Sequence, residues 1–496
     1  MHKEILINVE SQEIRVAILE NNMLEEFFVE RPTEKPMAGN IYKGKVVSVV
    51  AGIQAAFVDV GLLKNGFLYV SDIMGPAAEL EELFAEDAEP NSFRKDTNVP
   101  IQTLVKKDQE IMVQIIKEPF STKGARLSTH ITLPGRYIVY MPSEKHIGIS
   151  RKIDQPDERA RLRAIVKEIL GRTHAGIIIR TAGEKKSKRE IYRDYKYLAR
   201  TYHRIKIRAQ RHKTPAVLHE EHELILRIIR DYLSDDVSRI TIDDKVQYRK
   251  ALKFLSIVSP HMRSKLCFYS GDTPLFENRG IEKEINKIYE TKVHLKSGGC
   301  IVIEQTESLV AVDVNTGSYT GKKSHEETVY RTNLEAAREL ARQVRLRDLG
   351  GIIVVDFIDM ELEKNRKSVL AALNEAMRRD KAKYNILGLS EIGLLEMTRQ
   401  RIRKGIESVV YQDCPYCTGR GKISSVLSVS IKVSKLLEKH LKDARVRQAE
   451  LRVHPDVAGR LFGQDRGMIK EMERRFRVKI TIIPDEDLHL EDIKLS

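Results

Sequence analysis

The chain of 496 residues has no tryptophan and only four cysteines, Cys267, Cys300, Cys414 and Cys417. Aromatic residues make up 6% of it, so stacking on flat ligands falls to Phe, Tyr or His. Four cysteines are too few to staple a chain of this length. That excludes a disulfide scaffold and points to a reducing compartment. No run is apolar and long enough to span a bilayer, and the stretch Met1-His-Lys-Glu-Ile-Leu-Ile-Asn-Val-Glu10 lacks the apolar core of a signal peptide. The expectation is a soluble, cytoplasmic protein. What the chain has in excess is positive charge, a net +14, which suits a polyanionic partner, most simply nucleic acid. The length suggests about three domains.

Alternation of apolar and polar residues predicts a meander over residues 3–31, too small to stand alone and therefore part of a sheet completed by later sequence. Residues 40–128 alternate like a small antiparallel barrel, with a tight turn expected at Asn65-Gly66 and the acidic stretch Glu79–Glu89 read as an inserted loop. A helix is expected from about Glu326 to Leu349, stopped by Gly350-Gly351. Strand–helix–strand order over 289–410 predicts an α/β domain. The tail reads as a helix, Val426 to Lys442, followed by a β-α-β pattern.

Two apolar runs, Ala311-Val-Asp-Val-Asn-Thr-Gly317 and Gly350-Gly-Ile-Ile-Val-Val-Asp-Phe-Ile-Asp-Met360, read as buried strands that each carry an acid. Residues two apart on a strand share a face, so Asp313 and Asn315 point the same way. A buried carboxylate is costly unless paired. Asp313 and Asp356 on neighbouring strands would suit a hard divalent cation such as Mg²⁺; alternatively they cap strand ends or meet buried Arg or Lys.

In the barrel, Phe57 and Phe67 fall on adjacent strands with Lys43, Lys45, Lys117 and Lys123 near. Such a face holds single-stranded nucleic acid, with bases on rings and phosphates on cations; Phe in a strand is also ordinary core. Between Lys185 and Lys213 lies a dense basic run whose Tyr195, Leu198, Ala199, Tyr202 and Ile205 have the spacing of a buried helix face. Its cations are then either solvated or set against RNA. In Ile177-Ile-Ile-Arg-Thr-Ala-Gly183, an Arg and a Thr just past a strand form a possible phosphate clamp, Arg180 with Thr181. Cys414-Pro-Tyr-Cys417-Thr-Gly-Arg-Gly421 is a zinc half-site. A structural zinc needs four ligands, supplied by Cys267 and Cys300 or, the arrangement we favour, by a second copy of the motif across a two-fold axis. A redox dithiol is the competing reading.

These stretches, with Asn40-Ile-Tyr-Lys-Gly-Lys45, Leu295-Lys-Ser-Gly-Gly299, Thr332-Asn-Leu-Glu-Ala-Ala337, Leu346-Arg-Asp-Leu-Gly-Gly351 and Leu395-Glu-Met-Thr-Arg-Gln-Arg401, resemble the ribonuclease E/G family over essentially the whole chain. The length and the lack of a long disordered tail bring the resemblance nearest to the ribonuclease G branch. It implies a multidomain α/β and α+β architecture. An RNase H-like subdomain (1–37 and 225–288) would carry an inserted S1 barrel of OB type (38–128) and a 5′-sensor region (129–224). A DNase I-like catalytic α/β subdomain (289–410), a zinc link (411–424) and a small C-terminal α/β domain (425–496) would follow. Asp313 and Asp356 would hold one catalytic Mg²⁺, and Asn315 would orient the attacking water or the scissile phosphate. Arg180 and Thr181, with Gly135, Val139 and Arg151 around them, would grip a 5′-monophosphate. Phe57, Phe67, Lys117 and Lys123 would hold RNA. Cys414 and Cys417 would share a Zn²⁺ with a second chain, in a dimer or a dimer of dimers.

The implied activity is Mg²⁺-dependent endonucleolytic cleavage of single-stranded RNA (rRNA precursors and mRNA), stimulated by a 5′-monophosphate and leaving 3′-hydroxyl and 5′-phosphate ends. Departures are visible. The family's arginine-rich segment appears as Asp380-Lys-Ala-Lys383, so Lys383 would contact RNA without a bidentate fork. Asp359 reads as structural, and Leu461–Lys470 lacks the Gly-x-x-Gly spacing of a KH turn. Two other readings stand beside the nuclease: a non-catalytic, zinc-bridged RNA-binding scaffold in ribosome assembly, and a DNA-binding protein, which the barrel aromatics disfavour because they suit unpaired bases.

Overall fold

The structure, a computed structural model, describes residues 2–74, 99–119, 123–306, 308–317, 325–390, 393–401, 410–412, 414–444 and 448–496. The acidic stretch Glu79–Glu89 lies outside them. The chain divides into two compact units, Met1–Val409 and Val410–Ser496. No described helix is long and apolar enough to cross a membrane.

The N-terminal meander, Lys3–Val9, Ile14–Glu20 and Met23–Glu30, is completed by distant strands. Val237–Ile242 pairs parallel with Lys3–Val9, and Leu266–Phe268 pairs with Val237–Ile242. Both faces of this sheet are covered. Ile5, Ile7, Val16 and Ile18 pack with the helices Leu224–Tyr232 and Lys245–Val258. Leu6, Ala17, Leu19 and Phe27 pack with Leu275–Asn278 and Ile281–Ile288. Two-sided burial explains why these strands read as continuous apolar runs.

Strands Ile41–Val50, Ala55–Asp59, Gly66–Tyr69, Arg126–Ser128 and Glu110–Lys117 pair in that order, and the last pairs back onto the first. The result is a closed five-stranded, OB-like barrel. Val46, Ala56, Val58, Leu68, Val113 and Leu127 fill it. The Asn65-Gly66 expectation is corrected: Gly66 stands in the ladder opposite Val58, so the reversal runs over residues 60–65.

Next come a four-stranded sheet built on Ile138–Met141 and Gly176–Ile179 and two helices, Pro156–Leu170 and Lys188–Arg211. The longer helix starts at a capping box, Ser187 with Glu190. It buries Leu198, Tyr202 and Ile205, as the spacing predicts, together with Ile191, while Tyr195 and Ala199 of the expected face are only partly buried.

The last sheet of this unit has the order Lys292–His294, Cys300–Gln305, Leu309–Asn315, Gly351–Asp356, Leu395–Arg399, Tyr384–Leu389. Leu309–Asn315 and Gly351–Asp356 run parallel, and the helix His325–Arg347 crosses between them. That helix and Glu363–Met377 pack on one face, where Ile301, Ile303, Val310, Val312, Val314, Ile353 and Val355 meet Ala337, Leu340, Val344 and Leu373.

The second unit holds the helix Val426–Ala444 and a three-stranded sheet. Gln448–Val453 lies between Lys479–Pro484, parallel, and Ile493–Leu495, antiparallel. Two short helices, Pro455–Phe462 and Arg466–Phe476, connect the parallel pair where a single one was expected.

Candidate active site

Asp313 and Asp356 are register partners on the parallel strands Leu309–Asn315 and Gly351–Asp356. Both are exposed. This corrects the expectation of acids inside buried runs. Along each strand the alternate residues, Val312 and Val314 or Ile353 and Val355, are buried against the helices, and the acids belong to the other, solvent-facing set. Each carboxylate therefore keeps its hydration, and their nearness follows from the ~4.8 Å spacing of neighbouring strands. Asn315 shares that face and donates from Nδ2 to Asp313 Oδ2 at 2.6 Å.

The loops that hold these residues are fixed from behind. Asn333, fully buried on the crossover helix, donates to Ile358 O at 2.8 Å and accepts from Ile358 N at 3.2 Å. This clamp sets the direction of the chain leaving Asp356, and it gives the Thr332-Asn333 motif a physical reason. Glu335 accepts from the amides of Lys296 and Ser297 at 2.7 and 3.2 Å. The turn so held brings Gly299 against the other strand end; a Cβ there would lie 2.8 Å from Asn315 O. Arg399, buried in the last pairing, donates to Asp380 at 2.7 Å and Asp348 at 2.8 Å, joining the turn before Gly351–Asp356 to the loop between Glu363–Met377 and Tyr384–Leu389. Asp359 is exposed.

Two carboxylates in register, open to water, fit a hard cation that keeps several water ligands. Among the described residues no group of three or more His, Cys, Asp or Glu is gathered, so a cation here would rest on two protein carboxylates.

A second cluster surrounds Arg180. Its Nη1 donates to Gly135 O and to Asp231 Oδ1, both at 2.6 Å. Thr181 Oγ1 and Ser150 Oγ lie 3.0 Å apart. Burial alone would raise the Asp231 pKa, but Arg230 and Arg180 outweigh it and hold the carboxyl well below the usual range. Arg230 in turn reaches Glu221 at 2.8 Å. Gly135 is needed because a Cβ would stand 2.5 Å from Asp194 Oδ2. Asp194 is buried and accepts from the amides of Tyr137 and Ile138 at 2.7 and 3.2 Å. Burial pushes its carboxyl up to about 6, against those amides and the nearby Arg180 and Arg136. The side chain of Val139 is buried with Met141 and Ile178. Arg151 is exposed.

On the barrel, Phe57 and Phe67 are register partners with ring centroids 4.7 Å apart. They alternate with the buried Ala56, Val58 and Leu68, and both are partly exposed. The register continues from Phe67 to Arg126 and from Arg126 to Lys117, so two rings and two cations share one row. Lys123 is exposed just before Arg126's strand. Lys43 and Lys45 are instead paired with Glu110 at 2.7 Å and Asp108 at 2.8 Å.

In the second unit Cys414 is exposed and Cys417 half-buried. The amides of Cys417 and Tyr416 hold the Cys414 thiol below its usual range, and Gly421 N donates to Cys417 Sγ at 3.3 Å. In the first unit Cys267 and Cys300 lie on strands of two different sheets.

Sequence reasoning missed Asp194, Asp231, Arg126 and Asn333. Asp194 and Asn333 had a signal, since each is a polar residue at a core position of an apolar helix pattern. Asp231 had little: its partner Arg230 is adjacent in the chain, but Arg180, which it orients, lies 51 residues away.

The family model described as "Ribonuclease E/G family" matches residues 132–402, and the one described as "RNase E/G, Thioredoxin-like domain" matches residues 413–496. Ribonuclease G of Escherichia coli strain K12 is 40% identical over 475 residues, 95% of each chain. Ribonuclease G of Haemophilus influenzae is 38% identical over 481 residues, 96% of each. Ribonuclease E of Escherichia coli strain K12 is 35% identical over 490 residues, 98% of this chain and 45% of that protein. With a matched core of more than half its length and near-complete alignment to such relatives, this chain belongs to the ribonuclease E/G family of endoribonucleases.

Proposed function

We propose that the chain cleaves single-stranded RNA internally, at the open face carrying Asp313, Asn315 and Asp356, and that a 5′-monophosphate held by Arg180 and Thr181 stimulates the cut. The in-register pair of exposed carboxylates is the observation that carries this reading. Asp313 and Asp356 would hold Mg²⁺, which when bound polarises the scissile phosphate and lowers the pKa of a water. Asn315, tied to Asp313, orients the water or the phosphate. Water oxygen bonds to phosphorus as the bond to the 3′ oxygen breaks and that oxygen takes a proton, leaving 3′-hydroxyl and 5′-phosphate ends. RNA lies along Phe57, Phe67, Lys117 and Lys123, with Lys383 meeting a phosphate near the catalytic sheet. Arg151, Gly135 and the backbone at Val139 border the end pocket. Binding energy from that remote end raises the population of productive complexes.

Cys414 and Cys417, a two-thiolate half-site, share a Zn²⁺ with the same pair of a second chain, giving a homodimer or a dimer of dimers. The substrates are rRNA precursors and mRNA, in the cytoplasm.

One RNA oligomer carrying a 5′-monophosphate, triphosphate or hydroxyl, offered with and without Mg²⁺, tests the reading. The expected result is metal-dependent internal cleavage, fastest with the monophosphate. Products with cyclic phosphate or 5′-hydroxyl ends, or equal rates for all three oligomers, contradict it.

A further inference from the structure

On the strand that ends in Asp356, the solvent-facing residues are Ile352, Val354 and Asp356 in line. Ile352 is 52% exposed, a large apolar side chain left in water on the face that carries the acids. The register sets it opposite Thr398, and Thr398 opposite Asn385. Around this row opens a cleft of about 480 Å³, lined by Ile352, Lys383, Asn385, Thr398 and Gln400 among others. The backbone bond from Gln400 N to Lys383 O, 2.8 Å, fixes the two sides of its rim. Asn385, Thr398 and Gln400 are exposed, and buried Arg399 anchors the strand between Thr398 and Gln400. The cleft is thus walled by an ordered sheet.

Its chemistry is that of a nucleotide site. Ile352 gives an apolar floor for one face of a base. Asn385 and Gln400 carry amides and Thr398 a hydroxyl, groups that donate and accept at base edges. Lys383 adds a cation for a neighbouring phosphate. The volume is of small-ligand size. Four residues of strand, roughly 13 Å, separate Ile352 from Asp356, a short extended path along Val354. Only an unpaired base can enter, because a paired one has its edges and faces occupied.

We infer that this cleft is a base-recognition subsite, which receives one unpaired nucleotide of the RNA a short fixed distance from the scissile phosphate and biases where the chain is cut. The inference rests on the nuclease reading for its register with the cut, but the cleft can be tested by binding alone.

The test uses full-length Asp313→Asn protein, which keeps RNA intact, and a set of 5′-monophosphate oligomers with one abasic position walked along them. The expected result is one position where the missing base weakens binding about fivefold or more. That dip disappears when Asn385→Ala and Thr398→Val are added, while dips from the barrel stay. Asn385→Ala alone, a truncation at an exposed position, should shrink the same dip and guards against a folding defect. A dip that persists in both variants, or no dip besides those removed by Phe57→Ala and Phe67→Ala, overturns the subsite. Cleavage of a randomised RNA by otherwise wild-type protein separates the two claims: a walk that behaves as expected beside an inactive wild type removes the nuclease reading and leaves the cleft.

Discussion

Arg180 donates to Asp231 at 2.6 Å, and the same carboxylate takes two further bonds from Arg230, at 3.1 and 2.9 Å. Lys381 joins from the loop between Glu363–Met377 and Tyr384–Leu389, its Nζ bonded to Asp231 O at 2.8 Å over the Tyr232 ring. Removing the carboxylate leaves Arg180 without this ion pair and Arg230 with Glu221 alone to balance it. Asp231→Ala should cost about 3–5 kcal/mol of stability, read by urea unfolding. Asp231→Asn, which keeps the shape, should fold and lose the preference for monophosphate over hydroxyl ends, because Arg180 is no longer held in place. An unchanged preference in the Asn variant would mean that Arg180 does not read the end.

Asp313→Ala and Asp356→Ala should each lower cleavage by about 10³-fold or more, measured on a labelled oligomer. RNA affinity should stay within a few-fold. Both residues are exposed, so unfolding free energy should move by no more than ~0.5 kcal/mol. Metal-dependent cleavage surviving in purified Asp313→Ala protein would remove the site.

Asp194 gives a pH signature. Folded, its carboxyl stays protonated to about pH 6; unfolded, it ionises near its ordinary 3.8. The folded state holds the extra proton between those values. Its stabilising contribution is complete below the lower value and is lost as pH rises through the upper one. Asn mimics the protonated form. The melting temperature of Asp194→Asn relative to wild type should therefore climb as pH rises from about 4 to about 6 and then level off. A flat difference would show that Asp194 ionises normally.

Phe57→Ala and Phe67→Ala should weaken binding of single-stranded RNA by about 1–3 kcal/mol each, seen by fluorescence anisotropy. Barrel stability should change far less, since the buried cluster is made by the alternate residues.

Cys414→Ser should release zinc and shift the mass in light scattering towards monomers. An unchanged mass with no bound metal would refute the bridge.

How much of this was readable beforehand depends on range. The crossover helix was read as Glu326 to Leu349 and is His325–Arg347, because apolar spacing and the Gly350-Gly351 stop are local signals. The meander was read as unfinished, and Val237–Ile242 completes it. The acids were seen but put inside the protein, since an apolar run does not tell which faces are covered; among the described residues, His325–Arg347 and Glu363–Met377 cover the face away from the acids. Asn65-Gly66 misled because a favourable turn pair was taken up by pairing with Val58. The Asp231 network was only partly visible: Arg230 is its neighbour in sequence, but Arg180 and Lys381, which bonds its carbonyl, lie 51 and 150 residues away. Asp194, by contrast, stood three residues after Ile191 and four before Leu198. A carboxylate there was a legible anomaly, and its meaning came only with Tyr137 and Ile138.

The six-stranded sheet packs its helices on one side and turns Asp313, Asn315 and Asp356 outward. A polymer can therefore settle on those groups sideways, at any point along its length, without a free terminus being threaded through a tunnel. On the proposed reading that geometry admits long or circular transcripts, the circular ones without the stimulation that a 5′-monophosphate gives. It also makes the distance between an end and the incision a matter of slack in the strand rather than a ruler built into the protein.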